Sequence, residues 1–258
     1  MSMNYKEVAQ GLPEEEFAKY ATGVNLVNAF VDNAFVDSLQ KHKLLPKRFA
    51  KPVEVLSSQP ESVEITEPLT FSNQEREVLL GDGAVLYLLT GETIRDQQQA
   101  GRPFWYVVDG GERLLDFPAL RIEVVIYPDP EKFFVPESFN KTITQQDNLM
   151  EQDTLNLRKR LGLEGITMVR PEASEVTEVV FKHFKETQVR LFGENYKEQA
   201  SGYYPYTRTS TPTNKSGSYL AGIGFFSAVG GLRVSGWHLD HRYARLGLVR
   251  WVVPQRSG

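Results

Sequence analysis

The segment Gly247-Leu-Val-Arg-Trp-Val-Val-Pro254 is a nearly continuous apolar run, and it decides how the fold is interpreted. The stretch before it, Leu232-Arg-Val-Ser-Gly-Trp-His-Leu-Asp-His-Arg-Tyr-Ala-Arg245, mixes cations, an acid, two imidazoles and aromatic rings. A strand that buries itself explains the apolar run, but burial does not explain the mixed chemistry before it. Rigid aromatic rings, bidentate donors and short polar groups are typical of a binding surface. We therefore predict a strand at 247–253 and a recognition surface at 233–245; a solvated surface hairpin is the alternative.

The composition is that of an ordinary globular protein. The chain has 258 residues, of which 41% are apolar and 24% charged, and this length suits one large domain or two small ones. A formal net charge of -4 argues against a protein that binds nucleic acid over its whole surface. No window of about 18 apolar residues exists, so no membrane span is predicted. The first residues lack the basic and apolar regions of a signal peptide, and we expect a cytoplasmic protein.

Cysteine is absent, which excludes disulfides, cysteine metal sites, thiol nucleophiles and redox relays. The sequence also lacks a serine elbow, a phosphate-binding loop and a dinucleotide glycine fingerprint. The segment His238-Leu-Asp240-His241 is the cluster that could hold a metal, but no further ligand pattern lies near it. We therefore expect no catalytic residue, no metal and no cofactor.

Hydrophobic periodicity divides the chain into an N-terminal helical segment, 1–50, and an α+β domain, 51–258. Pro13-Glu-Glu-Glu16 opens an amphipathic helix, or two helices broken near Gly23, that runs to about Lys41. Its stripe of Phe and Val residues is more typical of a core or an oligomer contact than of a ligand site. A homo-oligomer formed through this helix is therefore a possible assembly.

The α+β domain is predicted from short apolar or alternating segments separated by turn residues. Its predicted strands lie at 53–55, 63–65, 84–89, 104–108, 120–126, 219–227, 232–237 and 247–253. Its predicted helices lie at 94–100, 142–161 and 172–191. Because the strand at 84–89 is continuously apolar, we expect it to be buried on both faces. Segments 127–136 and 202–214 are predicted to be irregular. This order of elements predicts an α+β fold in which two helices pack on mixed or antiparallel sheets.

Three places in the C-terminal half resemble C-type-lectin-like modules related to formylglycine-generating enzymes. Pro171-Glu-Ala-Ser-Glu175 resembles the family's proline, polar, glutamate helix start. Tyr206-Thr-Arg-Thr209 lies where such modules often place an aromatic residue followed by hydroxyl residues, and 247–253 resembles their closing glycine, apolar, arginine, apolar strand. The resemblance covers roughly residues 84–258 and implies a C-type-lectin-like scaffold.

Departures from the family narrow what the resemblance implies. The sequence Ile166-Thr-Met-Val-Arg170 stands where a Trp-Arg-Leu commonly precedes the helix. The sulfatase-activating enzymes use a cysteine pair, which this chain lacks, and no Glu-Pro-Asn or Trp-Asn-Asp run supports calcium-dependent sugar binding. What remains is the scaffold used as a binding module, as in the variable proteins of diversity-generating retroelements.

Residue usage at 233–245 favours that retroelement subtype. In those systems adenines are mutated, so an asparagine codon ending in a pyrimidine can change to most residue types but not to Lys, Glu, Gln, Met or Trp. Within 233–245 only Trp237 falls outside the reachable set. The excluded types make up about a fifth of ordinary usage, so a dozen positions would avoid them by chance about one time in fifteen.

We therefore expect a non-enzymatic protein that binds a protein or another macromolecule through a diversified C-terminal surface, and we expect neither nucleic-acid nor membrane binding. The predicted ligand-binding residues are Arg233, Ser235, Trp237, His238, Leu239, Asp240, His241, Arg242, Tyr243 and Arg245. Tyr203, Tyr204 and Tyr206 either line the neighbouring rim or pack the loop that carries them. Two alternatives stay open. One is an enzyme that uses His238, Asp240 and His241 as an acid/base set. The other is an assembly protein that contacts partners through its N-terminal helix.

Overall fold

The computed structural model describes residues 68–196 and 203–255. Residues 67–258 form a compact unit of their own. The predicted N-terminal helix and the predicted strands at 53–55 and 63–65 lie outside the described residues. Among the helices that are described, none combines the length and the apolar character needed to cross a membrane.

The described residues form helices on two sheets. The helices are α1 (Asn73–Gly81), α2 (Ile94–Gln99), α3 (Gly111–Leu115), α4 (Pro130–Phe133), α5 (Ile143–Leu161) and α6 (Ala173–Thr187), and Glu194–Tyr196 forms a 3-10 turn. The strands are β1 (Val85–Leu88), β2 (Phe104–Val107), β3 (Glu123–Ile126), β4 (Ile166–Met168), β5 (Tyr206–Pro212), β6 (Tyr219–Ser227), β7 (Gly231–His238), β8 (Leu246–Gly247) and β9 (Val252–Pro254). The predicted α+β class is confirmed.

The two sheets differ in strand direction. The first has the order β1-β3-β9-β4, and all of its neighbouring strands are antiparallel. The second has the order β2-β7-β6-β5-β8, in which β2–β7 and β5–β8 are parallel pairs and the central pairs are antiparallel. Helix α5 packs on β4 of the first sheet, and α6 packs on β5 and β6 of the second.

The ends of the long helices follow from their capping residues. At the start of α5, the Thr142 hydroxyl accepts from the backbone N–H of Gln145, whose side chain accepts from the Thr142 N–H in return. Gly162 ends this helix in the left-handed conformation, so the predicted end is confirmed, and the helix begins one residue later than predicted because Thr142 is its cap. Helix α6 ends earlier than predicted, at Thr187, because Gln188 takes up a left-handed cap with φ 61.

The prediction of one continuous strand at 247–253 is wrong. Strand β8 pairs with β5 in the mixed sheet, whereas β9 lies between β3 and β4 in the antiparallel sheet. The residues between them, 248–251, which we call the crossing segment, are buried as they pass from one sheet to the other. Their backbone groups are paired outside any strand: the Leu248 carbonyl accepts from Val135, and the Val249 N–H donates to the Thr207 hydroxyl.

Three other predictions of local structure need correction. Strand β1 is not buried on both faces, since it lies at a sheet edge and Leu88 is 45% exposed. The strand with all four residues buried is β3. The segments predicted to be irregular contain α4 and β5. Helices α1 and α3 were not predicted at all, although Ser72 and Glu75 form a capping box that signals the start of α1.

Within the described residues, the antiparallel sheet lies between two hydrophobic clusters. Val125 and Val252, on one face of this sheet, pack with Leu157 of α5. On the opposite face, Val124 packs in the cluster that contains α6 and the mixed sheet, to which Ile223 belongs. The mixed sheet therefore buries one face, and we call its other face the outer face.

Candidate functional site

Strand β7 contributes both to the core and to the outer face because its residues alternate. Leu232 and Val234 are fully buried in the core that contains α6. Arg233, Ser235 and Trp237 occupy the alternate positions and therefore point to the outer face. The sheet thus presents three of the predicted ligand-binding side chains side by side.

Trp237 lies at the centre of an aromatic cluster. Its ring centroid is 4.8 Å from that of Tyr243, 5.8 Å from that of His241 and 5.9 Å from that of Tyr206. The indole lies over Gly222 of β6, where a Cβ atom would approach the indole Cδ1 to 2.5 Å. Gly222 therefore leaves the space that the Trp237 indole occupies.

Residues 239–245, which we call the C-terminal loop, are held by their main chain. Alternate carbonyls of the loop accept hydrogen bonds from donors outside it. The Leu239 carbonyl accepts from Ile143 N at 3.3 Å, His241 from Arg208 Nη2 at 2.7 Å, Tyr243 from Asn140 N at 3.1 Å and Arg245 from Tyr206 N at 2.7 Å. Three of the four donors are backbone N–H groups, and none depends on the side chains of the loop. The loop is therefore anchored by hydrogen bonds that its own side chains do not form.

Arg208 supports the C-terminal loop from beneath. It lies on β5 and is fully buried, and one of its amino groups donates to the His241 carbonyl. Desolvation lowers the pKa of this guanidinium to about 10, and the positive charge of Arg170 adds to the effect. Arg208 still carries its charge at neutral pH, so the hydrogen bond to the loop is charge-assisted.

A bulge in β2 adds two aromatic rings to the outer face. Phe104 is opposite Leu232 and Tyr106 is opposite Arg233, so the register shifts between them at Trp105. Phe104 packs inward on Phe181, whereas Trp105 and Tyr106 are both about half exposed. The Arg233 guanidinium carbon lies 5.6 Å from the Trp105 ring and 5.3 Å from the Tyr106 ring, within the range of cation–π attraction.

A strained residue in β6 extends this aromatic surface. Phe225 has φ 54 in the left-handed region, at an irregularity of the β6–β7 pairing between Gly224 and Ser227. Such a conformation costs a non-glycine residue about 1–2 kcal/mol. Its ring centroid lies 5.0 Å from that of Trp105 and 4.4 Å from that of Tyr204. The strained backbone thus holds Phe225 on the outer face while its neighbour Phe226 packs inward.

A cavity of about 260 Å³ opens on the outer face between Phe225 and Trp237. Arg233 and Arg245 both line it. The Arg245 guanidinium carbon lies 4.3 Å from the Tyr203 ring and 4.9 Å from the Tyr243 ring. Burial raises the pKa of the Tyr206 hydroxyl, which also lines the cavity, while the charges of Arg233 and Arg245 lower it. Two positive charges therefore converge on one small cavity.

The predicted ligand-binding residues differ in exposure. Asp240, His241 and Arg242 are exposed, whereas Ser235 is buried, so only three of the ten predicted residues are fully accessible. The other residues are partly buried, namely Arg233, Trp237, His238, Leu239, Tyr243 and Arg245. The partly buried side chains form a floor and walls, and the three exposed ones stand above them.

Several residues of this surface were not found from the sequence. Trp105, Tyr106 and Phe225 lie far from the C-terminal segment along the chain, and Arg208 acts from beneath it. One signal was available for the first two. Three consecutive aromatic residues in a strand cannot all face one side of a sheet, so Phe104-Trp-Tyr106 indicates a bulge or an exposed ring. No local signal marks Phe225 or Arg208.

The two histidines of the patch have different surroundings. His238 packs against the Tyr219 ring, and its Nδ1 lies 4.0 Å from the Asp240 carboxylate. His241 packs instead against the rings of Trp237 and Tyr243. Among residues 68–196 and 203–255, no group of three His, Cys, Asp or Glu side chains is arranged to hold a metal ion.

Comparisons with protein-family models, with curated proteins and with solved structures find no match to this chain. The fold of the described residues is a mixed α+β fold with two sheets and several helices. The C-type-lectin-like assignment and the function that it implies therefore stay predictions.

Proposed function

We propose that this chain is a non-enzymatic binding protein that recognises a protein ligand through the outer face and the C-terminal loop. One observation carries the proposal. Donors outside the C-terminal loop hold its alternate main-chain carbonyls by hydrogen bonds. A loop held in this way keeps its path when its side chains change, and binding sites are commonly built on such rigid supports.

The chemistry of the surface supports a protein ligand. Aromatic rings contribute large contact areas at a low cost in conformational entropy, and arginine pairs with carboxylates or carbonyls through two N–H groups at once. The outer face combines four aromatic rings with two guanidinium groups: Trp105, Tyr106, Phe225, Trp237, Arg233 and Arg245. Residues of these types dominate the binding energy of protein interfaces.

Within this proposal, the chain is a variable protein of a diversity-generating retroelement with a C-type-lectin-like scaffold. The exposed residues Asp240, His241 and Arg242 are the diversified positions, and Trp237 is the unvaried floor on which they stand. The encoding DNA tests this subtype. A near-copy of the 3′ end that differs only at adenines, beside a reverse transcriptase gene, is the expected finding. An encoding region without such a copy contradicts the subtype.

Site-specific photocrosslinking tests the binding function. A benzophenone amino acid replaces Arg242 in one sample and Leu155 in another, since both side chains are exposed but Leu155 lies on α5. Each protein is irradiated in an extract of the source cells. We expect a protein adduct of defined mass from position 242 and none from position 155. The adduct should be lost when Trp237→Ala is added.

Three results would contradict the proposed function. The absence of any adduct from position 242 would show that the C-terminal loop contacts no protein ligand. Identical adducts from positions 242 and 155 would show that the contacts are nonspecific. An adduct from position 242 that nuclease removes would show that the ligand is a nucleic acid.

A further inference from the structure

We propose that the cavity between Phe225 and Trp237 binds a carboxylate group of the ligand. This inference rests on the proposed function, because it assigns a chemical group to the ligand that the outer face recognises. It starts from three hydrogen-bond donors that lie on one strand and have no acceptor.

The donors are Arg233 Nε, Ser235 Oγ and Trp237 Nε1. Each atom is shielded from solvent and has no hydrogen-bond partner, and all three residues line the cavity. Ser235 is only 9% exposed. Because the three residues alternate along β7, their side chains leave the same face of the sheet, roughly 7 Å apart from one to the next. Unpaired buried donors cost free energy, so a group that accepts from them is bound favourably.

The charge of the cavity selects an anion. Arg233 and Arg245 line it from two sides, and neither forms an ion pair with a carboxylate of the described part of the chain. A carboxylate has two oxygens that only accept, and together they provide about four acceptor sites. It can therefore accept from a guanidinium and from the neighbouring indole N–H at the same time. Charge-assisted bonds of this kind are stronger than neutral ones.

The walls of the cavity indicate which part of a ligand bears the carboxylate. The rings of Tyr206, Phe225 and Trp237 line it, so an apolar stem fits beside the anionic group. A volume of about 260 Å³ admits one side chain or one terminal residue of a protein ligand. The carboxylate therefore comes either from a free C-terminus or from an Asp or Glu side chain. The probes below separate these two sources.

The three tryptophan indoles give a direct measurement by ¹H–¹⁵N NMR of the full chain. The probes are N-acetylphenylalanine, which carries a C-terminal carboxylate, and N-acetylglutamic acid N-methylamide, which carries a side-chain carboxylate. N-acetylphenylalanine amide is the neutral control. We expect a saturable downfield shift of the Trp237 indole N–H with at least one acid and none with the amide. The acid that produces the shift identifies the source.

Trp251 provides an internal control. Its indole nitrogen is also buried without a partner, but the residue lies in the core and does not line the cavity. Its resonance should stay in place during each titration. It should also keep its position in every variant that retains the fold.

Arginine variants test the assignment. Arg233→Gln should lower the affinity of the protein for the acid by roughly tenfold or more. Arg233→Lys should have an intermediate affinity, because lysine keeps the charge without the planar fork of the guanidinium. Arg190→Gln is the matched control. Arg190 also contacts an aromatic ring, at 4.4 Å from Phe184, and its Nε is also unpaired, but it packs on the inner side at Phe226. This variant should leave the Trp237 titration unchanged.

Some results would overturn the carboxylate assignment. They are a Trp237 resonance that neither acid moves, an equal shift with the neutral amide, and tighter binding of phenyl phosphate than of both acids. If these appear while the Arg242 crosslink still forms, the carboxylate assignment fails and the proposed function stands. If an acid binds but no crosslink forms, the cavity assignment stands and the proposed function fails.

Discussion

Trp251 and Trp105 are the same residue type in opposite environments. Trp251 is 1% exposed in the core that the mixed sheet shares with α6, whereas Trp105 is 52% exposed on the outer face. Removal of a fully buried indole loses its packing and leaves a cavity. We expect Trp251→Ala to lower the free energy of unfolding by about 3–5 kcal/mol. Trp105→Ala is the control, and a loss equal to that of Trp251→Ala in urea unfolding would contradict this contrast.

Glu175 should make the stability of the protein depend on pH. Burial raises its pKa to about 7, although the N–H of Glu172 donates to its carboxylate. A folded pKa above the unfolded value of 4.5 means that the folded state binds the proton more tightly. The stabilisation is therefore complete below about pH 4.5 and is lost as the pH rises through about 7.

Glu175→Gln isolates this effect, because the neutral amide still accepts the N–H of Glu172. We expect the variant to lose less stability than the parent protein when urea unfolding is compared at about pH 5 and about pH 8. Glu151→Gln, at an exposed position of α5, should keep the slope of the parent. An unchanged slope in Glu175→Gln would show that this carboxyl group does not titrate in this range.

The C-terminal loop should tolerate changes of its exposed side chains, because its main chain is held from outside. Replacement of Asp240, His241 and Arg242 together by alanine or serine should change stability by within about 0.5 kcal/mol per residue. Arg208→Met should act differently, since it leaves the His241 carbonyl without its donor. We expect faster hydrogen exchange in residues 239–246 of that variant alone. Equal exchange in both proteins would show that Arg208 does not hold the loop.

The pairing of β6 with β7 should control the position of Trp237. A Cβ atom at Gly222 would lie 2.5 Å from Cδ1 and 2.6 Å from Nε1 of the indole, so the ring must move in Gly222→Ala. We expect the Trp237 indole resonance and the near-ultraviolet circular dichroism to change while the Trp251 resonance stays in place. Gly81→Ala is the control, because its Cβ atom would meet no atom within 4 Å. An unmoved Trp237 resonance in Gly222→Ala would contradict the close packing.

The two hydrophobic cores of the described residues share the antiparallel sheet. Adjacent residues of β3 face opposite ways, Val124 to the core with α6 and Val125 to the core with α5. Because each core depends on the same strands, we expect one cooperative unfolding transition of residues 67–258. Val124→Ala and Val125→Ala should each lower the midpoint of this transition. The shift should be the same whether unfolding is followed by tryptophan fluorescence or by far-ultraviolet circular dichroism. Transitions that separate between the two probes would show that the cores unfold independently.

Local signals explain which parts of this architecture were predictable from the sequence. The ends of α5 follow from Thr142, Gln145 and Gly162, which act within a few residues of the helix end. Strand β5 was missed because its residues, Tyr-Thr-Arg-Thr-Ser-Thr-Pro, are mostly polar. Their burial depends on distant partners, such as the Ala221 carbonyl that accepts from Thr209.

The sequence also contained no sign that the apolar run at 247–254 divides into β8 and β9. An apolar run shows that residues are buried, but it does not show which sheet each of them joins. The candidate site was predictable only in part for a similar reason. The C-terminal patch is contiguous in the chain and chemically unusual. The aromatic rings of β2 and β6 join it only through a bulge and a strained residue that tertiary packing fixes.

The place of β9 in the antiparallel sheet has a consequence for synthesis in the cell. This strand fills the position between β3 and β4, yet it follows every other described element along the chain. A ribosome has therefore made the rest of the sheet before it makes residues 252–254. Until then the nascent chain carries two unpaired strand edges, which are prone to association with other chains. Final closure of the domain must follow the emergence of β9 from the exit tunnel.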